Sequence, residues 1–129
     1  MHLPAAIDWA RYEASSATLL PNPLLVHELT TRSPLSLARI EAHYYGHGCF
    51  LQSSQLLNRA HAIVNLPCII VQGKYDLLSP MRSASRLHDV LPKSTLISVP
   101  DAGHSAFDTS ITRELVAATE RMKAEPSPS

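Results

Sequence analysis

Apolar positions recur at helical intervals through the first half of the chain and in short uninterrupted runs through the second. Ile7, Ala10, Ala14 and Ala17 share one face of a helix predicted from Ile7 to Leu20, which the Pro21-Asn22-Pro23 step terminates. A second helix is predicted from Ser33 as N-cap and Pro34 in the first helical position, through Leu37, Ile40, Glu41 and Tyr44, ending at Gly46 and Gly48. Ser53 ahead of Leu56 and Leu57 predicts a third, from about Ser53 to Ala60.

The pattern changes at Pro67. Cys68-Ile69-Ile70-Val71-Gln72-Gly73 is a continuous apolar run closed by glycine, which suits a strand buried on both faces in a parallel sheet. Pro80 opens a helix to about Leu91, with Met81, Ala84, Leu87 and Leu91 on one stripe, and Pro92 ends it. Thr95 to Val99 reads as a second strand. A last helix, from about Thr109 to Met122, turns Leu115, Ala118 and Met122 inward, and residues 125–129 form a Pro- and Ser-rich tail expected to fray.

Strand, helix, strand, helix with short connections is a βαβ unit with parallel strands and a right-handed crossover, so the fold class is α/β. Two strands are too few for an independent parallel sheet. This unit therefore reads as the edge of a wider sheet, with a helical segment over residues 1–64 and a βαβα part over 65–124.

Composition narrows the function. The chain has 129 residues, the size of one domain, and its 11 Lys plus Arg balance 11 Asp plus Glu, leaving no basic excess to meet a phosphate backbone. Nucleic acid is not an expected partner. Four glycines against ten prolines leave no phosphate-cradling loop. No apolar stretch approaches the ~20 residues that span a bilayer, and the N-terminus has no charged leader followed by an apolar run, so neither a membrane anchor nor secretion is expected. Cys49 and Cys68 form no C-x-x-C pair and no disulfide framework, which suits a cytoplasmic protein.

In open α/β sheets the working residues follow the carboxyl ends of the strands. Asp76 follows the first strand and His104 the second, and parallel neighbouring strands would open both loops at the same end. A carboxylate on one ring nitrogen fixes the tautomer of a histidine base and supports the imidazolium it forms. The order acid then histidine is that of the last two members of an α/β-hydrolase triad. An isolated Asp76 would more often close a turn or cap the helix after Pro80, and a lone histidine is more often structural; the pairing with His104 reverses both and favours catalysis. No glycine is placed to form a G-x-S-x-G elbow, and neither Ser79 nor Ser105 sits on a strand-to-helix turn. His43 and His47, four apart, with Cys49 nearby could ligate zinc, but Gly46 and Gly48 break the helix through them and no fourth ligand stands at a diagnostic spacing, so no metal is expected. Arg82, Arg86 and Lys93 read as a solvated helix face.

Four segments, Trp9-Ala10-Arg11-Tyr12-Glu13, Ala38-Arg39-Ile40-Glu41-Ala42-His43-Tyr44-Tyr45, Gly73-Lys74-Tyr75-Asp76 and Val99-Pro100-Asp101-Ala102-Gly103-His104-Ser105-Ala106-Phe107, resemble in order the C-terminal portion of the proline iminopeptidase (prolyl aminopeptidase) family. The resemblance extends to about Met122. It implies a serine peptidase of the α/β-hydrolase fold with a helical cap, releasing N-terminal proline from peptides without metal or organic cofactor. It assigns Asp76 as triad acid, His104 as triad base, and Glu13 and Glu41 as the cap glutamates that hold the substrate's free amine. A proline amine is a secondary ammonium with two N–H donors, which two carboxylates can bind together. Trp9 and Tyr44, a helical turn from these glutamates, could wall a pocket for the pyrrolidine ring or could simply pack. The family has Phe where Tyr45 stands. The nucleophile elbow and oxyanion loop have no counterpart in these 129 residues, so the chain alone is expected to be inactive and marginally stable unless a complementing N-terminal portion joins it. The alternative is a non-catalytic fragment docking on a partner chain that completes the sheet. A different hydrolase with the same triad order is a third reading.

Overall fold

The computed structural model describes residues 2–124; the tail expected at 125–129 lies outside them. Three helices come first: α1 (Leu3–Ala17), α2 (Pro23–Arg32) and α3 (Pro34–Gly46). A 3-10 turn (Gly48–Phe50), the one-turn helix α4 (Gln55–Asn58) and a second 3-10 turn (Ala60–Ile63) lead into β1 (Cys68–Gly73), α5 (Met81–Val90), β2 (Ser94–Val99) and α6 (Thr109–Ala124). The two strands pair in parallel, in register from Cys68 with Ser94 to Gly73 with Val99.

α1 packs against both α2 and α3 through small side chains. Ala6, Ala10 and Ala14, at helical spacing on α1, and Ala38 on α3 are fully buried, and methyl-sized contacts let helix axes approach closely. α5 and α6 both pack on the strand pair, around a cluster of Val99, Ala102 and Ile111 backed by Val71 and Ile97. Val99 is the largest fully buried side chain. The core is therefore small.

Several expectations need correction. α2 was not anticipated: the Pro21-Asn22-Pro23 step ends one helix and also starts the next. Asn22 is its N-cap, accepting a hydrogen bond from the amide of Leu25 at 3.0 Å, and Pro23 takes the first turn. Ser33 precedes Pro34 as foreseen, but its side chain makes no capping bond. The third helix shrinks to one turn because Ser54 sits at φ 58°, in the left-handed region, which prevents Ser53 from capping a continuous helix. The strands are only half-buried, and on α6 Leu115 and Met122 stay more than a third exposed while Ala118 is buried. A sheet of two strands is too narrow to cover the helices that flank it.

Candidate active site

β1 and β2 end side by side, and their parallel register sends both following loops to the same end. Asp76 lies in the first loop and His104 in the second; Nδ1 of His104 is 2.9 Å from Oδ2 of Asp76. The Asp76 side chain is buried, whereas that of His104 is 43% exposed. A histidine held at Nδ1 and open to its surroundings keeps Nε2 available for proton transfer.

Asp76 is fixed on every side. Its Oδ1 accepts from the amides of Leu78 (2.9 Å) and Ser79 (2.7 Å), and its Oδ2 also accepts from the side-chain amide of Gln72 (2.8 Å). The local turn and the histidine contact thus use different oxygens, so both readings of Asp76 hold at once. Burial acts to raise its pKa, but the hydrogen bonds from Ser79, His104 and Gln72 together outweigh it and leave the carboxyl below its usual 3.8. Asp76 is held as a carboxylate. Gln72 escaped notice in the sequence because it ends an apolar strand; its spacing of four from Asp76 across a turn is the only signal.

The loop of His104 is tied to the helices. The amides of His104 and Ser105 both donate to the carbonyl of Ala17, the last residue of α1, at 2.8 Å each. Below them, the amides of Lys74 and Tyr75 donate to the carbonyls of Val99 (2.9 Å) and Ala102 (3.1 Å), lacing the two loops together.

One face of α1 and the loop after Asp76 enclose a cleft of about 390 Å³ lined by Trp9, Tyr12, Glu13, Tyr45, Leu77 and Leu78. The indole N–H of Trp9 donates a short hydrogen bond to Oε2 of Glu41 on α3. Partial burial, and then the charge of Glu41, raise the pKa of Glu13 above its usual 4.5, while His104 acts in the opposite direction. Glu13 therefore lies within electrostatic reach of both Glu41 and His104.

Tyr44 does not line this cleft. It packs edge-on against Phe50, ring centroids 5.4 Å apart, while Tyr45 takes the wall position with its ring 6.3 Å from that of Trp9. The helical spacing explains the exchange: Tyr45 is four residues after Glu41 and more nearly on its face than Tyr44. Partial desolvation, then the charges of Glu41 and Glu13, raise the pKa of the Tyr45 phenol.

His43 and His47 have ring centroids 4.5 Å apart, with Nδ1 of His47 engaged by the carbonyl of His43 at 2.7 Å and Phe50 stacked on the His47 ring. Among the described residues no group of three or more His, Cys, Asp or Glu side chains is disposed to hold a metal ion. None of the described helices is long and apolar enough to cross a membrane.

Helices leading into parallel strands, with acid and histidine after successive strands, make this the C-terminal part of an α/β-hydrolase fold. Residues 51–117 match the family described as TAP-like protein, and the chain belongs to that family. It is 41% identical over 123 residues to the probable proline iminopeptidase of Leptolyngbya boryana, a match covering 94% of this chain and 38% of that protein. It is 43% identical over 122 residues to the proline iminopeptidase of Arabidopsis thaliana (93% of this chain, 32% of the relative) and 39% identical over 120 residues to that of Xylella fastidiosa strain 9a5c (92% and 38%). The chain thus corresponds to the C-terminal part of these relatives and spans well under half of their length.

Proposed function

We propose that this chain is the cap and His–Asp portion of a serine aminopeptidase that releases N-terminal proline from peptides. The observation that carries the reading is the 2.9 Å contact between Asp76 and His104 beside a cleft that Glu13 enters. Residues 1–64 act as cap and 65–124 as the end of the catalytic core.

In this reading a serine from outside these 129 residues attacks the carbonyl carbon of the N-terminal proline. Nε2 of His104 takes the serine proton, and Asp76 holds the tautomer and stabilises the imidazolium. The imidazolium then protonates the departing amine, and a water activated by the same nitrogen cleaves the acyl-enzyme. No metal or organic cofactor takes part.

Glu13 and Glu41 anchor the substrate's secondary ammonium. Trp9 occupies one oxygen of Glu41 and orients the other, and the repulsion from Glu41, which adds to burial in raising Glu13, is relieved when a cation arrives between the two carboxylates. A blocked N-terminus brings no charge and leaves the repulsion in place. Trp9, Tyr45 and Leu78 offer the apolar surface for a five-membered ring. The two free cysteines suit a cytoplasmic setting.

A second reading is favoured by the narrow sheet: the chain docks on a partner that supplies the remaining strands, pairing along the open edge of β1. An in-frame, glycine-flanked serine encoded upstream of Met1 supports one continuous enzyme, and its absence supports assembly from two chains.

The decisive test fuses this chain to the non-matching N-terminal portion of the Leptolyngbya relative and compares three substrates. Release from proline arylamide, with none from acetyl-proline arylamide, is expected. Hydrolysis of simple esters without release of proline identifies a different hydrolase with the same acid–base order.

A further inference from the structure

Gly103 sits between the two halves of the site. A Cβ built there would lie 2.9 Å from the carbonyl oxygen of Ala17, 3.0 Å from the amide nitrogen of Leu19 and 3.2 Å from the carbonyl carbon of Thr18. All three are backbone atoms at the end of α1, so none can swing aside as a side chain would. No left-handed torsion is involved, because the glycine at positive φ in this chain is Gly48. What Gly103 provides is room.

That room has one evident use. The carbonyl of Ala17 ends α1 and has no partner further along the helix. Its two lone pairs are taken by the amides of His104 and Ser105, both at 2.8 Å. On the other side of the glycine, a Cβ on Gly73 would meet the carbonyl oxygen of Gly103 at 1.9 Å, so β1 is also in direct backbone contact with this residue. The histidine loop is held between a strand end and a helix end with no side chain separating them.

We propose that Gly103 is a positioning residue: it lets the last carbonyl of α1 clamp the backbone of His104, so that the helix carrying Trp9 and Glu13 also sets where the imidazole stands. Glu13 lies one turn before Ala17 on that helix, so a displacement of α1 moves the amine anchor and the histidine backbone together. The substrate-holding helix is then a direct support of the proton-transfer group. Errors of about 1 Å in such a group can cost on the order of a hundredfold in rate.

Gly103→Ala is the test. It adds one methyl group, requires no forbidden torsion, and obliges the end of α1 and the histidine loop to separate by several tenths of an ångström. Hydrogen exchange on this chain reads the clamp without any assumption about activity. The amides of His104 and Ser105 are expected to be protected as well as those of Lys74 and Tyr75, and to lose protection selectively in Gly103→Ala. Kinetics of the fused protein, which rest on the aminopeptidase reading, are expected to show kcat for proline arylamide falling by about tenfold or more with KM little changed. Free exchange at His104 and Ser105 in the unmodified chain, beside protected Lys74 and Tyr75, overturns the clamp. So does Gly103→Ala with unaltered exchange and unaltered kcat. Clamped amides in a fused protein that does not release proline leave the clamp standing and refute the aminopeptidase reading alone.

Discussion

The indole N–H of Trp9 on α1 donates to Oε2 of Glu41 on α3, joining two helices whose contacting residues are 32 apart in sequence. The bond links α1 to α3 across the intervening α2 in sequence and fixes one oxygen of the carboxylate proposed to hold the substrate amine. Trp9→Phe keeps an aromatic wall and removes only the donor. KM for proline arylamide in the fused protein is expected to rise about tenfold, the effect of one hydrogen bond to a charged group, with kcat less affected. Steady-state kinetics at fixed pH check this.

Glu13 gives a pH signature. Its pKa is raised, by burial first and by Glu41 second, so it loses its charge at a higher pH than an ordinary glutamate. KM is expected to rise as pH falls through that raised value, beginning above 4.5, and Glu13→Gln flattens this limb at a higher KM. The same shift acts on stability with a definite sign. The unfolded chain releases the proton near 4.5, before the folded chain does, so folding is progressively opposed as pH rises from there through the raised value. Glu13→Gln is therefore expected to stabilise the fold at neutral pH and to have little effect well below 4.5, as read from denaturant midpoints.

Asp76 behaves in the opposite sense. Its pKa is lowered, so the stability it contributes is present above 3.8 and disappears as pH falls through the depressed folded value. Asp76→Ala removes the acceptor of the Leu78 and Ser79 amides, while the Gln72 side chain keeps the carbonyl of Ser79 at 2.9 Å, and a loss of about 1–3 kcal/mol in all is expected. Comparing denaturation midpoints of wild type and Asp76→Ala at neutral pH measures the loss.

The exposed apolar surface sets the behaviour of the chain alone. Phe107 is 91% exposed, Leu24 81% and Leu77 77%, while the core is built largely of alanines around Val99. So little buried volume gives a marginal fold, and apolar patches of this kind promote association. The isolated chain is expected to self-associate on heating and to gain solubility when joined to the N-terminal portion of a relative. A reversible, cooperative thermal transition of the monomer contradicts this expectation.

Much of this arrangement was legible in the sequence because its signals are local. Both strands, the helix between them and the acid-then-histidine order follow from runs of apolar residues punctuated by Gly73, Pro80 and Pro92. Parallel pairing then brings Asp76 and His104 together as a consequence of topology. What escaped depends on contacts distant in sequence or on backbone torsions. α2 was hidden because Asn22-Pro23 serves as a stop and a start together. The left-handed residues Cys49, Phe50 and Ser54 carry no glycine to announce them. Tyr45 replaces Tyr44 at the cleft because one residue of helix rotation decides which ring faces Trp9. The Ala17 clamp is invisible because a backbone carbonyl has no sequence signature.

The proposed proton relay is tested most directly by kcat for proline arylamide in the fused protein carrying Asp76→Asn. Asparagine preserves the shape of the side chain but removes its charge and favours the wrong histidine tautomer, an exchange that costs about 10⁴-fold in serine proteases. A fall of that order at little-changed KM is expected. A fall of less than about tenfold, or a loss confined to KM, would show that the pairing of Asp76 with His104 supports only the fold.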